Sequence, residues 1–151
     1  MKIVDYCECV DKAYWLSLIK SADWSAAGFL AKLLSENKLE EMCGKNARTL
    51  LLTEENVLIS FCTLAEKDEI DAPEMFPWIG FVYTFPQYRG KGYAGDLIGF
   101  ACKEAAKSGA QNVFVSTDAI GLYEKYGFEF LREMTTVFGG NSRIYKKVLT
   151  N

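Results

Sequence analysis

The sequence predicts an α/β fold of the mixed α+β kind, a mostly antiparallel central sheet of about six or seven strands flanked by helices. Three observations predict it. Strand-like and helix-like runs alternate along the chain. Two hairpin signals, Glu54-Glu55-Asn56 and Gly139-Gly140-Asn141, each join a pair of strand-like runs. The chain has 151 residues, half of them apolar, which is one domain's worth of core, so residues 1–151 are read as one domain without linker or repeat.

Each element follows from its local pattern. Met1–Val10 alternates apolar residues as an edge strand does. Ala13–Ile19 and Ala26–Leu39 have helical periodicity, with Leu16, Ile19, Phe29, Leu30, Leu33 and Leu34 inward and Asp23 or Ser25 as a cap for the second helix. Arg48–Thr53 and Val57–Ala65 form the first hairpin, and a long acidic loop, Glu66–Pro77, follows. Trp78–Phe85 is the next strand. Alternation places Trp78, Gly80, Val82 and Thr84 on one face and Ile79, Phe81, Tyr83 and Phe85 on the other. The helix after it buries Leu97, Ile98, Ala101, Cys102 and Ala105 and ends at Ser108-Gly109. Asn112–Thr117, apolar at Val113, Phe114 and Val115, reads as a central strand. A short helix and the hairpin Phe128–Phe138/Arg143–Leu149 complete the chain.

The turn between Phe85 and its helix is the most informative segment. Pro86 to Leu97 reads Pro-Gln-Tyr-Arg-Gly-Lys-Gly-Tyr-Ala-Gly-Asp-Leu. Small residues at 90, 92, 94 and 95 allow close backbone approach, and the first amides of the helix have no internal partner, so the turn suits a phosphate. Two frames, Gln87-x-x-Gly90-x-Gly92 and Arg89-x-x-Gly92-x-Ala94, fit Gln/Arg-x-x-Gly-x-Gly/Ala. That pattern resembles the pyrophosphate signature of the GNAT superfamily of N-acetyltransferases. It is neither a Walker A loop nor a dinucleotide fingerprint.

A second stretch, Val113 to Phe128, is similar to the same family's strand, short helix and closing Gly-Phe, with Leu122-Tyr123-Glu124-Lys125-Tyr126-Gly127-Phe128 near the usual form. The resemblance implies acetyl-CoA as co-substrate. It assigns the pyrophosphate to Arg89, Gly90, Lys91, Gly92, Tyr93, Ala94 and Gly95, and the pantetheine arm to Val82, Tyr83 and Thr84, with backbone groups at Val82 and Thr84 pairing its amides. It makes Tyr123 the acid that protonates the departing thiolate. Many members carry an Asn seven positions before that tyrosine; this chain has Ser116, taken as a pantetheine contact. Family sheets splay between the fourth and fifth strands, here Trp78–Phe85 and Asn112–Thr117. Members are often dimers through the last strands, so a homodimer is among the expectations.

Composition narrows the chemistry. A formal charge of −3 argues against nucleic acid as a partner. No run approaches the roughly 20 apolar residues of a membrane span, and the start lacks a leader pattern, so the expectation is a cytoplasmic protein with no membrane partner. The five cysteines form no Cys-x-x-Cys pair and the chain has no histidine, so no metal is expected and any base is a carboxylate, tyrosine, backbone group or water. Trp78–Phe85 carries no carboxylate, which turns attention to Asp68, Glu69, Asp71 and Glu74 in the preceding loop, with Asp68 and Glu69 taken as catalytic candidates. The competing reading of these four is ordinary solvated loop charge. Trp15, Trp24, Phe29, Phe76 and Trp78 are candidates for the acceptor pocket.

The expected activity is acetyl transfer from acetyl-CoA to a primary amine, by direct attack in a ternary complex, with a small-molecule acceptor favoured. The alternative is an acyl-CoA-binding regulatory module without turnover, and a third reading is an interaction domain in which the glycine turn is incidental.

Overall fold

The computed structural model describes residues 1–149. Their strands are β1 (Lys2–Asp5), β2 (Arg48–Glu54), β3 (Val57–Ala65), β4 (Trp78–Thr84), β5 (Asn112–Thr117), β6 (Glu129–Thr135) and β7 (Asn141–Val148). Their helices are α1 (Lys12–Lys20), α2 (Ser25–Ser35), α3 (Leu39–Cys43) and α4 (Tyr93–Lys107). The strands make one sheet in the order β1-β2-β3-β4-β5-β7-β6. Every neighbouring pair is antiparallel except β4 and β5.

The two sheet faces are covered by different helices. Leu50, Leu52, Ile59, Cys62, Leu64 and Ile79 pack against Leu97, Ile98, Ala101, Cys102 and Ala105, the stripe of α4 that its periodicity marks as inward. On the opposite face Leu51, Phe61 and Tyr83 pack against Ile19, Leu30, Leu33 and Leu34. Arg48 ties the β1 edge to α4 with two 2.9 Å ion pairs, to Asp5 and to Glu104.

Several local expectations need correction. The first strand stops at Asp5, whose side chain accepts from Cys7 N and turns the chain into a 3-10 turn over Tyr6–Glu8. The second helix ends at Ser35, not Leu39, because Asn37 takes a left-handed φ of 56° and restarts the chain as α3. Neither Asp23 nor Ser25 caps α2; the N-cap is Trp24, without a side-chain hydrogen bond. Phe29 is exposed rather than inward. The alternation assumed for β4 also slips. Phe81 sits at φ 50°, and the β3–β4 register shifts between Phe61/Tyr83 and Thr63/Gly80, so Phe81 and Val82 together oppose Cys62. Ile79 consequently joins the α4 side and Tyr83 the α1/α2 side, although both occupy odd positions.

The acidic loop is anchored by its apolar residues. Ile70, Ala72 and Met75 are buried against Trp78, Phe114 and Ile144, and the indole N–H of Trp78 donates to Met75 O at 2.6 Å. Burying Ile70 and Met75 contributes roughly 1.5–3 kcal/mol each. This packing fixes where the loop's carboxylates stand.

Candidate active site

β4 and β5 share a single register pair, Trp78 with Phe114, and Phe114 N donates to Pro77 O at 3.0 Å. Beyond that rung the strands part, so the β5-facing backbone of the second half of β4 has no strand partner. An unpaired strand edge is a ready template for an extended amide chain. A cleft of about 570 Å³ opens there, lined by Val82, Val115, Ser116, Thr117 and Tyr123 of the splay, by the acidic loop, which touches the splay at Ser116, and by Trp24, Phe29 and Phe81.

The glycine turn follows directly from β4. A 3-10 turn over Pro86–Tyr88 leads to Gly90 at φ 80° and Gly92 at φ 82°, the latter being the N-cap of α4. A Cβ at either glycine would meet nothing within 4 Å, so glycine is required there by the left-handed backbone and not by crowding. No side chain caps α4, which leaves the amides of Tyr93, Ala94 and Gly95 free of helix partners. Those amides, with the helix dipole behind them, suit a phosphate group. Arg89 lies over the Tyr83 ring at 5.3 Å and its Nε donates to Thr84 O at 2.8 Å, which bends the guanidinium back along the strand. Lys91 is exposed. Gly95 is packed tightly, since a Cβ would come within 2.7 Å of the Tyr126 ring.

Asp68 and Glu69 differ from ordinary loop charge. The Asp68 carboxylate sits where a Cβ on residue 80 would be: one there would overlap Asp68 Oδ1, so only glycine at 80 admits it. Asp68 keeps a little surface open to the cleft, yet protein surrounds it, and that desolvation raises its pKa to about 7. A hydrogen bond from the Glu69 backbone works the other way, and the nearby Glu69 charge adds to the rise. Glu69 is held from two sides. Ser116 Oγ lies 2.8 Å from Glu69 Oε2 and 2.7 Å from Ser142 Oγ, and Val137 N donates to Glu69 O at 2.8 Å. Ser116 has one proton, so donation to Glu69 makes Ser142 the donor to Ser116. Asp71 also lines the cleft, whereas Glu74 is exposed outside it.

Tyr123, on a 3-10 turn after β5, is buried against the rings of Tyr126, Phe128 and Tyr145 while lining the cleft. Burial raises its pKa, with smaller contributions from Cys62, Tyr126 and Asp68, so the phenol stays protonated. Cys62, fully buried on β3, is pushed up to about 12 by burial and stays a thiol. The Tyr83 side chain is core, stacked with Trp24 and Phe61 at centroid distances of 5.8 and 5.5 Å. The Thr84 hydroxyl is 2.9 Å from Ser60 Oγ. Of the five aromatics considered for an acceptor pocket, Trp24, Phe29 and Trp78 line the cleft; Trp15 and Phe76 do not.

Gly80, Phe81 and Phe138 also belong to the cleft, beyond the residues the sequence singles out. Gly80 had a signal, a lone glycine inside an apolar strand, which marks a close approach. Phe81 had none, because nothing in its neighbours announces a bulge. Among the described residues no group of His, Cys, Asp and Glu is assembled that could hold a metal ion, and no helix is long and apolar enough to cross a membrane.

The family model described as the acetyltransferase (GNAT) family matches residues 13–128. The chain belongs to the GNAT acetyltransferase family, which makes it an acyltransferase by class. Solved structures agree on the fold. Aminoglycoside 6'-acetyltransferase type Ii matches with a TM-score of 0.74 at 16% identity, covering 100% of this chain and 99% of that one. An aminoglycoside 6'-N-acetyltransferase from Enterococcus faecium matches at 0.71 and 14% identity, covering 100% and 98%. An acetyltransferase-fold structure from Salmonella typhimurium, solved with its cofactor acetyl-CoA, matches at 0.63 and 17% identity, covering 100% and 95%. Comparison with curated protein sequences finds no match.

Proposed function

We propose that the chain transfers an acetyl group from acetyl-CoA to the primary amine of a small molecule by direct attack in a ternary complex. The observation that carries this reading is one continuous cleft that joins the β4–β5 splay to a nearly enclosed Asp68, with Tyr123 in its lining. The residues present fit acetyl-CoA. The free amides of Tyr93 to Gly95 and the left-handed Gly90 and Gly92 would receive its pyrophosphate, with Arg89 and Lys91 nearby. The open backbone of Val82 and Thr84 would pair with its pantetheine amides.

Asp68 serves as the base. Its pKa of about 7 lets it accept the ammonium proton near neutral pH, freeing the nitrogen lone pair to attack the thioester carbonyl. The amide N–C bond forms, the C–S bond breaks, Tyr123, kept protonated by burial, gives its proton to the sulfur, and the proton shed by the new amide nitrogen restores the phenol. Glu69 positions Asp68 and contributes negative charge that attracts a cationic acceptor. Holding both reactants in one cleft offsets roughly 7–11 kcal/mol of the barrier. A binding module without turnover has no use for a desolvated carboxylate, which costs stability. The five cysteines, all free, fit a reducing, cytoplasmic setting.

The test is calorimetric titration with acetyl-CoA followed by thiol release with amines. Micromolar binding and amine-dependent release are expected. A folded protein that binds no acetyl-CoA overturns the proposal; binding without release for any amine favours the regulatory module.

A further inference from the structure

The acceptor end of the cleft has an unusual division of labour. Part of its lining is aromatic. Trp24 meets Phe81 edge-on at 6.5 Å and Phe29 lies 6.4 Å from Phe81, whose side chain the β4 bulge delivers to this place. Trp24, Phe29 and Met42 are each about 40% exposed and Phe138 is 70% exposed. Large apolar groups left open together on a concave surface mark a binding face. The same lining carries the carboxylates of Glu66, Asp68, Glu69 and Asp71 against one cation, Lys67.

What the lining lacks is equally specific. It contains no Arg, Asn or Gln, and its Ser116 is already engaged with Glu69 and Ser142. An amino acid would bring a carboxylate among four acids with no arginine to receive it. A polyhydroxylated amine finds acceptors for some of its hydroxyls in the carboxylates, but those pressed against the rings find no hydrogen bond, at a cost for each unpaired group. A cationic nitrogen on a flat apolar body meets both kinds of lining, its ammonium toward the acids and its body against the rings.

We infer that the acceptor is a primary amine carried on a flat, apolar body of about aromatic-ring size, an arylalkylamine in chemical class. This inference rests on the acetyltransferase reading above. The transfer forms the N-acetyl arylalkylamine and free CoA thiol, with the ammonium proton leaving through Asp68 to solvent.

The experiment measures thiol release from acetyl-CoA with tryptamine and 2-phenylethylamine, against spermidine, kanamycin and phenylalanine, after calorimetry has established acetyl-CoA binding. The arylalkylamines should exceed the other three by at least tenfold in kcat/KM. Phe29→Ala and Phe138→Ala, at exposed positions, should each raise KM for tryptamine about tenfold with a smaller change in kcat, and Phe29→Tyr should restore it. A protein that binds acetyl-CoA but prefers spermidine, kanamycin or phenylalanine, or accepts no arylalkylamine, overturns the inference while leaving acetyl-CoA binding intact. Unchanged KM in both alanine variants also overturns it. Failure to bind acetyl-CoA instead removes the reading on which it rests.

Discussion

The glycine turn and the cleft are built from different materials. The turn and the strand that leads to it offer main chain: left-handed glycines, uncapped amides and a strand edge without a partner. The cleft offers side chains, Asp68 seated over Gly80 and Phe81 set into the lining at a bulge. Main-chain recognition needs only a conformation, which a few residue types dictate locally. Side-chain recognition needs tertiary contacts to hold each group in place, here the burial of Ile70 and Met75 under the loop.

Asp68→Asn tests that contrast most severely. Turnover should fall by roughly 10²–10⁴-fold while acetyl-CoA affinity holds, as thiol release and calorimetry would show. In the parent protein kcat/KM should climb to a plateau above about pH 7, where Asp68 is ionised. Its effect on stability has the opposite sign. Because the folded-state pKa exceeds the unfolded one, folding weakens as pH rises from about 4 to 7, by up to about 1.4 kcal/mol per pH unit, and then levels off. Asp68→Asn should flatten that slope and raise Tm at pH 8.

Gly80→Ala approaches the cleft from below. The added methyl takes the place of Asp68 Oδ1, so turnover should drop about 10²-fold although no ionisable group has been changed. An unaltered pH profile in this variant would show that Asp68 does not depend on that seat. Tyr123→Phe should lower kcat by roughly 10²-fold, the low end for a general acid, with KM for acetyl-CoA nearly constant. On the main-chain side, Gly92→Glu should weaken acetyl-CoA binding by roughly 10–100-fold, and the left-handed φ adds about 1–2 kcal/mol of strain, visible as a lower Tm. The smallest effect belongs to Ser116→Ala. Losing its hydrogen bond to Glu69 costs roughly 0.5–1.5 kcal/mol of positioning, a change in turnover of about tenfold at most.

The same division explains what could be read from the sequence. The hairpins, the stripe of α4 and its glycine turn were legible because each is written in neighbouring residues: Leu97, Ile98, Ala101, Cys102 and Ala105 are all buried as their spacing requires. The splay between β4 and β5 was available only through the family resemblance. The acid loop yielded its candidates by elimination, since a chain without histidine and a strand without carboxylates left few bases. Composition could not separate Asp68 from Glu74, because one packs over Gly80 and the other faces outward. The break after Ser35 was missed because apolar spacing continues through Leu39 while Asn37 alone reverses the backbone.

The bond from Val137 N to Glu69 O has a consequence for how the molecule can be cut. It fastens the β6–β7 connection to the loop that carries Asp68, across 68 positions of sequence. The exposed Gly139-Gly140 pair lies just beyond it, an accessible place for a protease. A single nick there would leave the sheet paired and the glycine turn untouched, yet free the strap that steadies the acid loop. The clipped protein would still hold its nucleotide-bearing substrate while its turnover declined, so cleavage at this hairpin would act as an attenuator of the catalyst.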